Sequence, residues 1–159
     1  HGDDLILKRM KRRHLYRDVI NFVNEARRRR SDIVFGADFI AGFPNETIED
    51  YKETLRTIYH IFQKCKYMVY PLPAPSFFCP LPGTKSFDDA VVLGHKSPTS
   101  FDAWADVDYN LKEMVWISKE FHEFIIKSRD VINGINVKYT GDNAIITDED
   151  LKPLADMMN

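Results

Sequence analysis

Apolar positions along this 159-residue chain change their spacing several times, and each change predicts a boundary. Leu5, Ile6 and Met10 follow an acidic pair, so Asp3 or Asp4 can cap a short helix. From Tyr16 to about Arg30, Val19, Ile20, Phe22 and Val23 make one helical face. The segment 33–41 is a continuous apolar run with one acid, as in a strand buried on both faces of a parallel sheet. Asn45 or Thr47 then opens a helix to about Gln63, in which Ile48, Tyr51, Leu55, Ile58, Tyr59 and Phe62 recur at helical spacing. Residues 67–70 predict a short strand. This alternation of helices and strands predicts an α/β fold with parallel strands.

Past Pro71 the pattern breaks. Pro71, Pro73, Pro75, Pro80 and Pro82 crowd one stretch, and proline cannot donate to a ladder, so a loop is expected there. Residues 86–102 read as mostly loop. A long helix is predicted from Ala103 to about Arg129, with Trp104, Val107, Leu111, Met114, Val115, Phe121, Phe124 and Ile125 as its core stripe. Segments 135–139 and 144–147 flank Thr140-Gly-Asp-Asn143 and predict a small β-hairpin. A last helix spans Asp148 to Met158. Neither an internal repeat nor a low-complexity tract is present.

Charge refines this picture. The chain holds 22 Lys and Arg against 24 Asp and Glu, but residues 1–30 hold ten basic against four acidic residues. That basic end could face phosphates. The arginine run 27–30 also complements the dipole at a helix C-terminus, which is the simpler structural reading. No run of eighteen apolar residues exists, so no membrane span is expected. Two cysteines, Cys65 and Cys79, form neither a Cys-x-x-Cys pair nor a disulfide framework, and a reducing cytoplasmic setting is expected. Iron–sulfur binding needs several closely spaced thiolates, which this sequence does not contain. His60, His95 and His122 are isolated and read as surface or structural. The sequence has no HExxH, no glycine-rich phosphate loop and no Ser/His/Asp ordering.

Two blocks carry the chemistry. One is Gly2-Asp-Asp-Leu-Ile-Leu-Lys-Arg-Met-Lys-Arg-Arg-His14. The other, Gly36-Ala-Asp-Phe-Ile-Ala-Gly-Phe-Pro-Asn-Glu-Thr47, reads as a strand that ends in a Gly-Pro turn and enters a capped helix. The carboxyl end of a strand is where α/β enzymes hold ligands. Together these blocks resemble the radical S-adenosylmethionine tRNA methylthiotransferases, in particular the threonylcarbamoyladenosine branch. The resemblance covers about residues 1–88. Within it, Asn45 stands where the family has glycine, and asparagine also tolerates left-handed backbone. A third block, Pro82-Gly-Thr-Lys85, has Leu81 where the family has arginine.

The resemblance implies a partial (β/α) radical barrel over 1–88, followed by a helical tail with a hairpin over 89–159. It implies S-adenosylmethionine and a 4Fe–4S cluster as cofactors and tRNA as substrate. In such enzymes the cluster cleaves S-adenosylmethionine, and a radical opens the adenine carbon beside the anticodon to sulfur insertion and methylation. The implied cofactor-binding residues are Asp3, Arg12, Arg13, Asp38, Ile40, Gly42 and Glu46. Arg12 or Arg13 would take the methionyl carboxylate by a two-pronged hydrogen bond, Ile40 would pack on adenine, and Gly42 would let the backbone approach closely. His14, Arg27 and Arg28 are candidates for RNA phosphate. Each has a structural alternative: Ile40 as core, Gly42 as turn, Asp38 as a hydrogen-bond hub, Glu46 as a helix-start acid, the arginines as solvated charge.

The cysteine triplet of the family is absent, and the chain starts on His1 rather than Met. Both lead to the expectation of a piece of a longer protein, inactive alone and a partner for the missing half of the barrel. The rival expectation is a non-catalytic remnant or small RNA-binding module with a basic N-terminal surface. A third is an aberrant sequence with no selected function, because the family pattern ends after the proline-rich junction.

Overall fold

The structure is a computed structural model, and it describes residues 1–30, 32–33, 35–64, 74–105, 114–138 and 146–159. Helix α1 (Asp4–Arg9) starts as expected, with Asp3 Oδ1 accepting the Ile6 N–H at 2.8 Å. Helix α2 (Tyr16–Arg29) is opened by Asp18, whose carboxylate accepts the Leu15 N–H at 2.7 Å. The Tyr16 N–H donates to Asp4 Oδ1 at 3.1 Å, which ties α2 to α1. Val23 is the buried residue of α2, while Phe22 faces mostly solvent and meets Phe35 edge-on.

Strand β1 (Ile40–Ala41) is far shorter than the apolar run around it. The described residues of 33–41 are not buried on both faces; Ile33, Gly36 and Asp38 are exposed. A strand is sealed on both faces only within a covered sheet, and the described sheet has just two short strands. Its partner β2 (Ser76–Phe77) lies inside the proline-rich stretch read as loop, and the pairing is parallel, Ile40 to Ser76 and Ala41 to Phe77. The ladder forms because Ser76 and Phe78 fall between Pro75 and Pro80 and keep their N–H groups. These donate to Phe39 O and Ala41 O, both at 2.8 Å. The strand expected at 67–70 lies outside the described residues.

Helix α3 (Ile48–Lys64) follows β1 and buries Tyr51, Thr54, Leu55, Thr57, Ile58, Ile61 and Phe62. Helix α4 (Lys85–Val92) and the short α5 (Phe101–Ala105) replace the loop expected over 86–102. Thr84 starts α4 by accepting the Phe87 N–H, a threonine cap that the surrounding prolines and glycines obscure in the sequence.

The single helix expected over 103–129 is also corrected. Its residues 106–113 lie outside the described residues, residues 115–117 form turns, and Ser118 Oγ accepts the Phe121 N–H to start α6 (Lys119–Lys138). Helix α6 runs through the first strand of the expected hairpin. Phe121, Ile125, Ser128, Ile132 and Ile135 are buried at spacings of four, three, four and three, so the helical period never gives way to alternation. The expected turn at 140–143 lies outside the described residues. Helix α7 (Asp148–Asp156) starts at Thr147, whose hydroxyl accepts the Asp150 N–H. Asp150 also takes the Lys138 ammonium at 2.8 Å; that bond, then those from Thr147, hold its carboxyl down to about 2. The molecule is thus mostly helical around a small parallel sheet.

One core joins these elements. Phe39, Ala41 and Phe77 from the sheet, the inner face of α3, Phe121 to Ile135 of α6, and Leu151 and Leu154 of α7 pack together. Each such large side chain contributes roughly 1.5–3 kcal/mol by leaving water. Tyr51 crosses this core to Ser128. Because Ser128 Oγ donates to Ile125 O at 2.7 Å, the tyrosine is the donor in the 2.7 Å Tyr51–Ser128 bond. Burial pushes the Tyr51 hydroxyl up, so it stays protonated and able to donate.

Gly2 lies against the backbone of α3. A Cβ there would sit 2.4 Å from Thr57 Oγ1 and 2.5 Å from Glu53 O, while its N–H donates to Thr54 Oγ1 at 3.0 Å. Gly2→Ala is therefore expected to cost about 1–3 kcal/mol in urea unfolding. Gly36→Ala, where the added methyl meets open space, should stay within about 0.5 kcal/mol.

Candidate functional site

Three chain turns converge at the carboxyl ends of β1 and β2. The first is the end of α1. Arg12 N–H donates to Leu7 O and Lys11 N–H to Lys8 O, both at 2.9 Å, which is the double bond pattern of a Schellman stop. Lys11 occupies its left-handed position, with φ of 55°. The second turn is the exit from β1, where Gly42 has φ of 77° and Asn45 of 63°. Asn45 thus adopts the left-handed geometry that asparagine tolerates. The third follows β2 through Phe78 and Cys79 to Thr84, whose hydroxyl donates to Leu81 O at 2.9 Å.

Between them lies a cleft of about 410 Å³. Its floor is apolar: Ile40, Phe43 and Phe78, the two phenylalanines edge to face at 5.0 Å. Arg9, Lys11, Arg12 and Lys85 line its rim, with the hydroxyls of Thr84 and Ser86. Among the described residues, the lining contains no carboxylate. Lys85 reaches Asp89 on the next turn of α4 at 2.7 Å.

Of the residues expected to bind cofactor, this cleft brings together Arg12 and Ile40. Asp3 serves as the cap of α1. Arg13 is exposed and outside the cleft lining. Asp38, far from being a buried hub, is exposed and lines a separate small cavity of about 160 Å³ with His14 and Tyr16. Gly42 is buried beneath the tail: its carbonyl accepts from Trp116 Nε1 at 2.7 Å, and a Cβ would lie 2.6 Å from Met114 Sδ. The close approach that this glycine permits is to the chain's own residues.

Glu46 is a buried latch. Its Oε2 accepts the Phe43 N–H and its Oε1 meets His1 Nε2, both at 2.7 Å. His1 Nδ1 accepts the Asp3 N–H at 3.0 Å, which leaves the ring proton on Nε2, facing the carboxylate. The latch ties the first residue to the turn after β1. Sequence reasoning missed it because nothing in the spacing links positions 1 and 46. Arg9, Lys11 and Lys85 were also missed as site residues, although all three stand in the blocks that carry the resemblance.

The arginines of α2 are largely consumed locally. Arg28 and Arg29 each reach Glu25 at 2.9 Å, and Arg30 reaches Asp32 at 2.7 Å. Arg28, then Arg29, hold the Glu25 carboxyl below the usual range, and Arg30 does the same for Asp32. Arg27 is exposed at the same helix end.

Could this site hold the cofactors that the resemblance implies? A 4Fe–4S cluster does not fit. No group of three His, Cys, Asp or Glu among the described residues could hold a metal, and the whole sequence has two cysteines. Burial pushes the Cys79 thiol up, away from the thiolate form that binds iron. S-adenosylmethionine fits only in part. Arg12 suits its carboxylate, but its ammonium and sulfonium would meet four cationic side chains and no carboxylate among the described lining residues.

A small α/β unit with a basic cleft at its strand ends is the class that fold and site define. Comparison with known proteins narrows it. The chain is 40% identical over 86 residues to the tRNA-2-methylthio-N(6)-dimethylallyladenosine synthase of Ehrlichia chaffeensis, covering 54% of this chain and 18% of that protein. It is 54% identical over 57 residues to the threonylcarbamoyladenosine tRNA methylthiotransferase MtaB of Rickettsia prowazekii, covering 36% of this chain and 14% of the relative. The dimethylallyladenosine synthase of Bartonella bacilliformis matches at 40% over 74 residues. Over these partial segments the chain is similar to tRNA methylthiotransferases. It spans less than a fifth of the length of these relatives. No family model and no solved structure matches. No helix among the described residues is long and apolar enough to cross a membrane.

Gly42 is the clearest place to perturb the site. Gly42→Ala adds left-handed strain and drives a methyl into Met114, so a loss of about 2–4 kcal/mol is expected in urea unfolding. Gly83→Ala, with similar φ but open space around it, should cost only the strain, about 1–2 kcal/mol.

Proposed function

We propose that this chain is a segment of a cytoplasmic enzyme that methylthiolates the adenosine beside a tRNA anticodon, and that its substrate is the threonylcarbamoyl form. The observation that carries the reading is the likeness to methylthiotransferases of both substrate types, with the higher identity to the threonylcarbamoyl enzyme. In this reading β1 and β2 are two strands of a (β/α) radical barrel within residues 1–88, and residues 89–159 are a helical tail that shares its core. The remaining strands, the cluster thiolates and the acids that would meet the cofactor's ammonium come from outside these 159 residues. Asp3, Arg13, Asp38, Gly42 and Glu46 then shape the wall of the cofactor chamber, and Arg12 and Ile40 face into it.

A second reading, a non-catalytic RNA-binding unit, draws support from the basic cleft, which needs no cluster to hold an anion. The two differ in a nucleoside assay. tRNA from a methylthiotransferase-deficient bacterium, expressing either this chain alone or this chain together with the cysteine-bearing part of a relative, is digested and examined by mass spectrometry. The enzyme reading predicts methylthio-threonylcarbamoyladenosine only with the added part. Absence of the product in both strains, with both polypeptides present and folded, contradicts it.

A further inference from the structure

We infer that residues 114–117 form a pH-sensitive strap over the turn after β1, locked through Trp116 while the His95 imidazole is neutral and released when that ring takes a proton. The hold is a property of the tail, and it does not depend on what the chain modifies.

On its inner side the strap grips bare backbone. Trp116 Nε1 donates to Gly42 O at 2.7 Å. Met114 is buried, and its sulfur fills the space that a side chain at position 42 would take, 2.6 Å from the Cβ position. Gly42 holds φ of 77°, so the turn offers no side chain of its own there. The strap has little backbone support: Ile117 N–H donates to Met114 O at 3.2 Å, and α6 begins only at Lys119. A segment with so few bonds of its own is placed by its side-chain contacts.

On its outer side Trp116 rests against two rings, Phe78 at 6.2 Å and His95 at 5.6 Å, both edge to face. His95 in turn meets Phe87 of α4 at 5.9 Å, and its backbone N–H donates to Ala90 O at 2.9 Å. The imidazole is therefore half-buried between two aromatic rings at the end of α4. No ion pair among the described residues includes it. Charges on the surrounding elements are engaged elsewhere or face water. Lys85 and Asp89 of α4 pair with each other at 2.7 Å, and Asp88 and Lys96 are exposed. Glu46 holds His1 and the Phe43 N–H, and Lys119 reaches Glu123 at 3.6 Å. Burial keeps the Cys79 thiol protonated, and residues 114–117 carry no charge.

A proton on such a ring meets no acid, and burial pushes His95 below its ordinary value. A charged His95 is better solvated outside the aromatic pair, and its departure removes one of the two rings behind Trp116. Because the closed form disfavours the proton, the strap is fully supported above the ordinary histidine value of about 6.5 and loses that support as pH falls below it.

The test uses the 159-residue chain with Trp104→Phe, which leaves Trp116 as the sole tryptophan. Acrylamide quenching of its fluorescence is followed from about pH 8 to about pH 5. The quenching constant should rise about twofold toward acid, with a midpoint below about 6.5, while far-ultraviolet circular dichroism stays constant. In His95→Phe the ring contacts remain and no charge forms, so the constant should stay low throughout; His95→Gln replaces that variant if it folds poorly, and should be flat with pH. His1→Gln, which alters the other titrating contact of the turn after β1, and His122→Gln should leave the rise in place. A constant that is flat with pH overturns the proposal. So does one that falls in acid, as when a protonated ring grips Trp116 and Phe87 more tightly, or one that rises equally when His95 is replaced.

Discussion

Helix α3 is buried on more than one side, and the rest of the molecule is arranged around that constraint. One side meets Gly2 so closely that no side chain fits between them. Another receives Phe121 and Phe124 around Tyr51, and the tyrosine hydroxyl reaches across to Ser128. A helix wrapped in this way cannot shift without disturbing both the α1 end and the α6–α7 end of the fold. Interiors pack too densely to absorb such a shift gradually.

The cleft inherits its geometry from this anchor. Gly2 and the His1–Glu46 contact fix the start of the chain to α3 and to the turn after β1. Helix α1 is therefore held where its last turn overhangs the strand ends. On the other side Trp116 and Met114 close over Gly42. What remains open at the strand ends is the basic cleft. Its contents match an anion better than a cationic cofactor, and this is a property of the lining side chains, independent of ancestry.

Much of the helical framework was legible from the chain. Asp3 stands where a helix-opening residue should, and the apolar spacing of α3 predicts that helix. The failures share a cause. Strands of two residues are too short for a period to show, so the apolar run before Gly42 suggested far more strand than forms. Ser76 and Phe77 were hidden by the prolines around them, although those prolines leave free the very N–H groups the ladder uses. The apolar positions of 135–139 suggested the first strand of a hairpin, yet Ile135 continues the buried stripe of α6. At the site, Arg12 and Ile40 could be named because they fall in the family-like blocks. The strain at Lys11 and the pairing of His1 with Glu46 depend on how distant turns meet, which local pattern does not encode.

The proposed reading needs cluster ligands from outside these residues, because the sequence holds only two cysteines. Anaerobic reconstitution of the purified chain with ferrous iron and sulfide, followed by desalting and iron analysis, tests it most directly. The account predicts iron well below one atom per chain and no iron–sulfur absorption band. A stable cluster retained at one per folded chain would contradict it.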